Sequence, residues 1–166
     1  MPLDAPPLLL VDVDGVLSLF GSAAGVPPAA RPALVDGLPH LLSEHAAAAL
    51  LSVGGRFECV WCTGWEERAD EHLPGLLGLP AGWPHLRFDG AAGPGASTLG
   101  HWKLEAIDAY AGPERALAWI DDAHDAACRA WAAGRPGPTR LVTTDPAVGF
   151  TAADAAKLAA WAAALP

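Results

Sequence analysis

Short runs that are apolar throughout alternate along the chain with longer segments whose apolar positions recur at helical spacing. The run Leu8-Leu9-Leu10-Val11-Asp12-Val13 is too short for a helix and ends in acids, which predicts a buried strand. Residues 57–62 predict a second strand, 86–88 a weak third, 116–120 a fourth that also ends in acids, and 139–143 a fifth. Residues 38–53 carry Leu38, Leu41, Leu42, Ala46, Ala49, Leu50 and Val53 at helical spacing, with Pro39 near the start and Gly54-Gly55 as the stop. Residues 66–73, 101–111 and 123–133 predict further helices. Thr151 with Asp154 resembles a capping arrangement for a last helix bearing Ala155, Leu158 and Leu165. Residues 16–37, rich in Gly and Pro, predict irregular structure. Gly93-Pro94-Gly95 predicts a flexible loop, since it lacks the third glycine of a dinucleotide fingerprint and the GK[ST] of a P-loop.

This alternation predicts an α/β three-layer sandwich with a five-stranded, mostly parallel, Rossmann-like sheet. Runs that are apolar throughout suit parallel strands covered on both faces. No internal repeat or linker divides the chain, so residues 1–166 are expected to form one domain.

Composition narrows the classes. With 52% hydrophobic and 17% charged residues the chain is no disordered segment. The net charge of −9 argues against a broad surface tracking nucleic-acid phosphates or an anionic membrane. No apolar run approaches the ~18 residues that span a bilayer. The apolar start has no Lys or Arg before it, so no secretory signal is expected, and the expected compartment is the cytoplasm. Cys59 and Cys62 resemble a CxxC pair. Along a strand, however, their Cα atoms lie about 10 Å apart with side chains on opposite faces. A disulfide needs less than about 7 Å, so buried packing is expected.

Candidate chemistry gathers at the predicted strand ends, where ligands of such sheets bind. Asp12 and Asp14 follow the first strand, Thr63 and Gly64 the second, Asp121 and Asp122 the fourth, and Lys103 lies near a helix start. Crowded carboxylates need a cation, and hard oxygen ligands suit Mg²⁺. A carboxylate beside that cation can attack phosphorus. A second can move a proton to the leaving group, while a hydroxyl and a lysine hold the phosphoryl oxygens.

Asp12-Val13-Asp14-Gly15-Val16 resembles the first motif of the haloacid dehalogenase (HAD) superfamily of phosphohydrolases. Thr63, Lys103 and Asp121-Asp122 are similar to its second, third and fourth, in order. The resemblance implies Asp12 as nucleophile and metal ligand, and Asp14 as general acid/base whose backbone carbonyl also reaches the metal. It implies Thr63 and the Gly64 amide as phosphate binders, and Lys103 as the residue that offsets charge. Asp121 is implied as a direct metal ligand and Asp122 as a direct or water-mediated one, with Asp125 in reserve. Val16 stands where many members have Thr, and Asp14 argues against a haloacid dehalogenase proper. The segments around Asp12, Thr63 and Asp121 also resemble a small bacterial HAD group that occurs as a domain of multi-domain RNA-repair proteins.

The slots where HAD enzymes insert a cap, residues 17–37 and 90–100, are too short for a packed one. The resemblance therefore implies a capless, open site for a phosphorylated small molecule or a nucleic acid end, with residues 18–32 as a small flap. Phosphoryl transfer to an acceptor other than water, or an idle HAD-like binding module, are the alternatives. The histidines form no HxH or HExxH pattern and are expected at the surface, although His101 and His124 neighbour the site in sequence. The tryptophans are expected in the core, with Trp65 also placed to wall the site or stack a base.

Overall fold

In the computed structural model the described residues are 5–22, 25–88 and 98–166, so the loop expected at Gly93-Pro94-Gly95 lies outside them. Four parallel strands form the central sheet: β1 (Leu8–Val11), β4 (Glu58–Trp61), β5 (Leu117–Asp121) and β6 (Thr139–Thr143), in the order β4-β1-β5-β6. Val11 is in register with Trp61 on one side and Ile120 on the other. A two-stranded antiparallel hairpin, β2 (Ala30–Val35) and β3 (Leu38–Ser43), stands apart from this sheet.

Side chains alternate across the sheet. Leu9, Val11, Cys59, Trp61, Ala118 and Ile120 face a core completed by α1 (Glu44–Gly54), α2 (Glu67–Leu77) and α5 (Ala152–Ala163). Leu8, Leu10, Val60, Cys62, Leu117 and Trp119 face α3 (Leu104–Ala111) and α4 (Ala126–Gly134). The result is the three-layer α/β arrangement expected, and it explains the cysteines: Cys59 and Cys62 lie on opposite faces, both buried and free. Among the described residues no helix is long and apolar enough to cross a membrane.

Two expectations need correction. Among the described residues the sheet has four strands, because next to the weak run at 86–88 there is only a bridge between Trp61 and His85. Trp61 donates to the Pro84 carbonyl at 2.8 Å and accepts from the Leu86 amide at 2.9 Å. Beyond that, Pro84 has no N–H to give, and the Phe88 amide is spent on Glu66 Oε1 at 3.0 Å. The helix expected over 38–53 begins only at Glu44, where the Ser43 side chain caps the Ala46 amide at 3.1 Å. Residues 38–43 are a strand instead. Asp36-Gly37, with φ of 51° and 78°, makes the tight turn that pairs Val35 with Leu38.

The hairpin is tied down at both ends. Arg31 pairs with Glu44 at 3.2 Å and donates to the Leu76 carbonyl. Asp36 at the turn pairs with Arg68 and, at 3.2 Å, with His72, both on α2. The remaining helices start slightly later than their patterns suggest. The Thr151–Asp154 capping box opens α5 as expected, while Leu165 falls beyond its end.

Candidate active site

The chain leaves β1 still pinned, since the Asp12 amide donates to the Ile120 carbonyl at 3.0 Å. It then turns at once. The Val13 carbonyl accepts from the amides of Leu17 at 2.8 Å and Ser18 at 2.9 Å, and Gly15 sits at φ +76°. A Cβ built on Gly15 would lie 2.4 Å from Asp122 Cγ, so this turn needs glycine for its backbone and for the space beside the acid. Thr144, after β6, locks the turn by donating to the Gly15 carbonyl at 2.7 Å.

Lys103 stands one residue before α3, almost fully buried. Its Nζ reaches Asp121 Oδ2 at 2.6 Å, Asp12 Oδ2 at 3.1 Å and the Cys62 carbonyl at 3.0 Å. Oxygens of Asp12, Asp121 and Asp122 all lie within 4.8 Å of one another. Asp125 stands apart, capping α4 through the Cys128 amide at 2.9 Å. Asp122, not Asp125, thus completes the cluster.

Three acids against one buried lysine leave a charge imbalance. Burial pushes the Asp12 carboxyl up to about 7, with the Asp121 charge adding to the rise and Lys103 opposing it. Asp121 is buried too, but the charge and hydrogen bond of Lys103, helped by the Ala123 amide, hold its carboxyl below the ordinary range. Burial, and then the Asp121 charge, raise Asp122. Burial also opposes the lysine's charge, yet the two carboxylates it bridges hold Lys103 above its ordinary value. A divalent cation on these oxygens would relieve the imbalance, and an all-oxygen donor set suits Mg²⁺.

The cluster floors a cleft of about 260 Å³ lined by Asp12, Asp14, Gly64, Lys103, Asp121 and Asp122, together with Phe20, His101, Trp102 and Ala123. A larger hollow of about 480 Å³, walled by residues such as Ala49, Val148 and Phe150, is mainly apolar and holds none of the acids. Most of the expected residues therefore meet on one surface. Thr63 is the exception: it is fully buried behind Gly64, with its hydroxyl accepting from the Trp65 amide at 3.2 Å. It does not cap α2, whose first flanking residue is Glu66.

Sequence reasoning placed Phe20 in irregular structure and Trp102 in the core, and it favoured the surface for His101. His101 is instead buried against Trp119, at 5.7 Å between ring centroids, and Trp102 packs on Phe88 at 4.8 Å. Proximity to Lys103 was the one available signal. Phe20 had none, because its backbone amide is held by donating to the carbonyl of Pro146 at 2.9 Å, a residue far along the chain.

A parallel sheet with acids at the carboxyl ends of adjacent strands, and a buried lysine bridging two of them, defines a HAD-type domain, a superfamily of broadly phosphohydrolase activity. A family model described as "HAD domain in Swiss Army Knife RNA repair proteins" matches residues 8–155, and the chain belongs to that family. No curated protein matches the chain.

Proposed function

We propose that the protein is a Mg²⁺-dependent phosphatase that hydrolyses a phosphomonoester through an aspartyl phosphate on Asp12. The observation that carries this reading is the Asp12 carboxylate on the cleft floor, 3.1 Å from Lys103 Nζ and clustered with Asp121 and Asp122.

Asp12, Asp121, Asp122 and the Asp14 backbone carbonyl would hold the cation. When bound, it offsets the charge of the carboxylates and of the phosphoryl oxygens. An Asp12 carboxylate oxygen attacks phosphorus, and the ester oxygen leaves with a proton from the Asp14 carboxyl. The Gly64 amide and Lys103 hold the phosphoryl oxygens as charge moves, with the Thr63 hydroxyl supporting that turn from behind. In the second step Asp14 takes a proton from water. The water oxygen attacks phosphorus and releases inorganic phosphate, restoring the Asp12 carboxylate.

Between β1 and α1 the described residues form only a turn and a hairpin, which supports a capless, open cleft. Such a cleft suits a phosphate at the end of a large molecule, and the family's description favours a nucleic acid end. Half-exposed Phe20 and partly exposed Trp102 offer faces for a base. The buried free cysteines suit a reducing compartment, so we place the protein in the cytoplasm.

The test is phosphate release with Mg²⁺ from aryl, sugar and nucleotide phosphates and from 3′- and 5′-phosphorylated oligonucleotides, with Asp12→Asn alongside. Turnover abolished by that substitution is expected. Mg²⁺ binding without phosphate release to water would point to a different acceptor. Neither binding nor turnover would leave an idle binding module.

A further inference from the structure

Asp14 is the one acid of the cleft whose side chain is largely exposed, at 54%. A proton donor gains its rate from being held at one geometry, so something must fix this carboxyl. The indole N–H of Trp65 donates to Asp14 Oδ2 at 3.0 Å, which leaves Oδ1 as the oxygen that carries the transferable proton.

Trp65 is itself held from three sides. Its backbone amide donates to Thr63 Oγ1 at 3.2 Å. Its ring meets the His40 ring at 4.7 Å between centroids, tilted by 59°. The residue after it, Glu66, sits at φ +50°, a conformation that residues other than glycine seldom adopt. Its side chain is tied down, with Oε1 accepting from the Phe88 amide at 3.0 Å. His40 in turn is bonded through Nδ1 to Ser18 Oγ at 2.9 Å. That nitrogen lies 4.0 Å from Asp14 Oδ1, too far for a hydrogen bond but within ion-pair range when the ring is protonated. His40, carried there by the docked hairpin, thus backs the tryptophan ring and faces the acid itself.

We propose that Trp65 is the positioning residue for the Asp14 acid/base, buttressed by His40 from the hairpin; the inference rests on the phosphatase reading above. One residue then joins the Thr63-Gly64 turn, where phosphate is held, to the carboxyl that moves the proton. Seating of the phosphoryl group and aim of the acid are set together.

The test uses leaving groups of different quality. An alkyl phosphate needs the proton, whereas p-nitrophenyl phosphate does not. Trp65→Phe keeps the ring and removes the N–H. Its kcat on the alkyl ester is expected to fall by about tenfold to a hundredfold, part of the 10²–10⁴ that general acid catalysis contributes, with KM changed by less than about threefold. On p-nitrophenyl phosphate the same variant is expected to release one equivalent of nitrophenolate rapidly and then turn over slowly, because the second step still needs the aimed carboxyl. Adding Trp65→Phe to Asp14→Asn is expected to cost nothing further. His40→Gln, which leaves the indole donor in place, is expected to show the same leaving-group dependence at smaller size, and it serves if Trp65→Phe does not fold. Equal losses on both esters without a burst, or losses that add to those of Asp14→Asn, overturn the inference alone. No turnover by the wild type on either ester overturns the phosphatase reading and this inference with it.

Discussion

Lys103 is the residue on which the cleft balances. Its ammonium is shared between Asp12 and Asp121, so its removal leaves two buried carboxylates facing each other. Breaking a buried charge group by deleting one partner costs about 3–5 kcal/mol. Lys103→Met is expected to lose activity and about 3 kcal/mol of stability at pH 8, read from urea unfolding. Asp12 carries the opposite lesson. Its carboxyl titrates near 7 in the fold against an ordinary 3.8, so the fold prefers its protonated form. That preference stabilises fully below about pH 4 and is lost as pH rises through 7. In chelator, Asp12→Asn is therefore expected to be more stable than the wild type at pH 8, by about 1–4 kcal/mol, and level with it at pH 4. Saturating Mg²⁺ is expected to favour the wild type instead.

The acids and the lysine were legible in the sequence because their chemistry lies in the residue type, and strand ends give them a place. His40 was not legible. Nothing in Leu38-Pro39-His40 announces that its ring will meet a tryptophan from another segment.

At the scale of elements, the sheet strands read clearly because each is apolar throughout. The hairpin did not, for two physical reasons. Pro32 and Pro39 stand inside its strands, and Leu38, Leu41 and Leu42 fall at a spacing that a helix would also use. The usable signal was Asp36-Gly37, a dipeptide suited to a two-residue turn. The turn after β1 is the element on which geometry depends most. Gly15→Ala is strained at φ +76° and drives a methyl into Asp122. It is expected to cost about 1–3 kcal/mol of stability and to weaken Mg²⁺ binding, measured by titration calorimetry, by tenfold or more, on the order of one displaced ligand.

For the molecule as a whole, charge bears on the substrate. A surface of net −9 gains little from extra phosphates, because long-range attraction to nucleic acid requires basic groups along the track. On the proposed reading, a cleft of about 260 Å³ takes the terminal phosphate and little beyond its immediate neighbours. The KM for 3′-phosphorylated oligonucleotides is therefore expected to change by less than about threefold between short and long strands, and to vary weakly with salt. A steep dependence on either would show a polynucleotide track that the net charge of −9 does not suggest.

The strand order has a consequence for how the protein comes to exist. β1 lies between β4 and β5, pairing Leu8 with Glu58 on one side and Leu117 on the other. The strand that ends at Asp12 is made before both neighbours, and the second of them follows more than a hundred residues later. Until then β4 can pair with one edge of Leu8, Leu9, Leu10 and Val11, all fully buried in the finished fold, while the other edge has no strand beside it. An apolar edge therefore waits through the synthesis of most of the chain, and the cleft floor, where Asp12 and Asp121 share Lys103, closes only after β5 has left the ribosome.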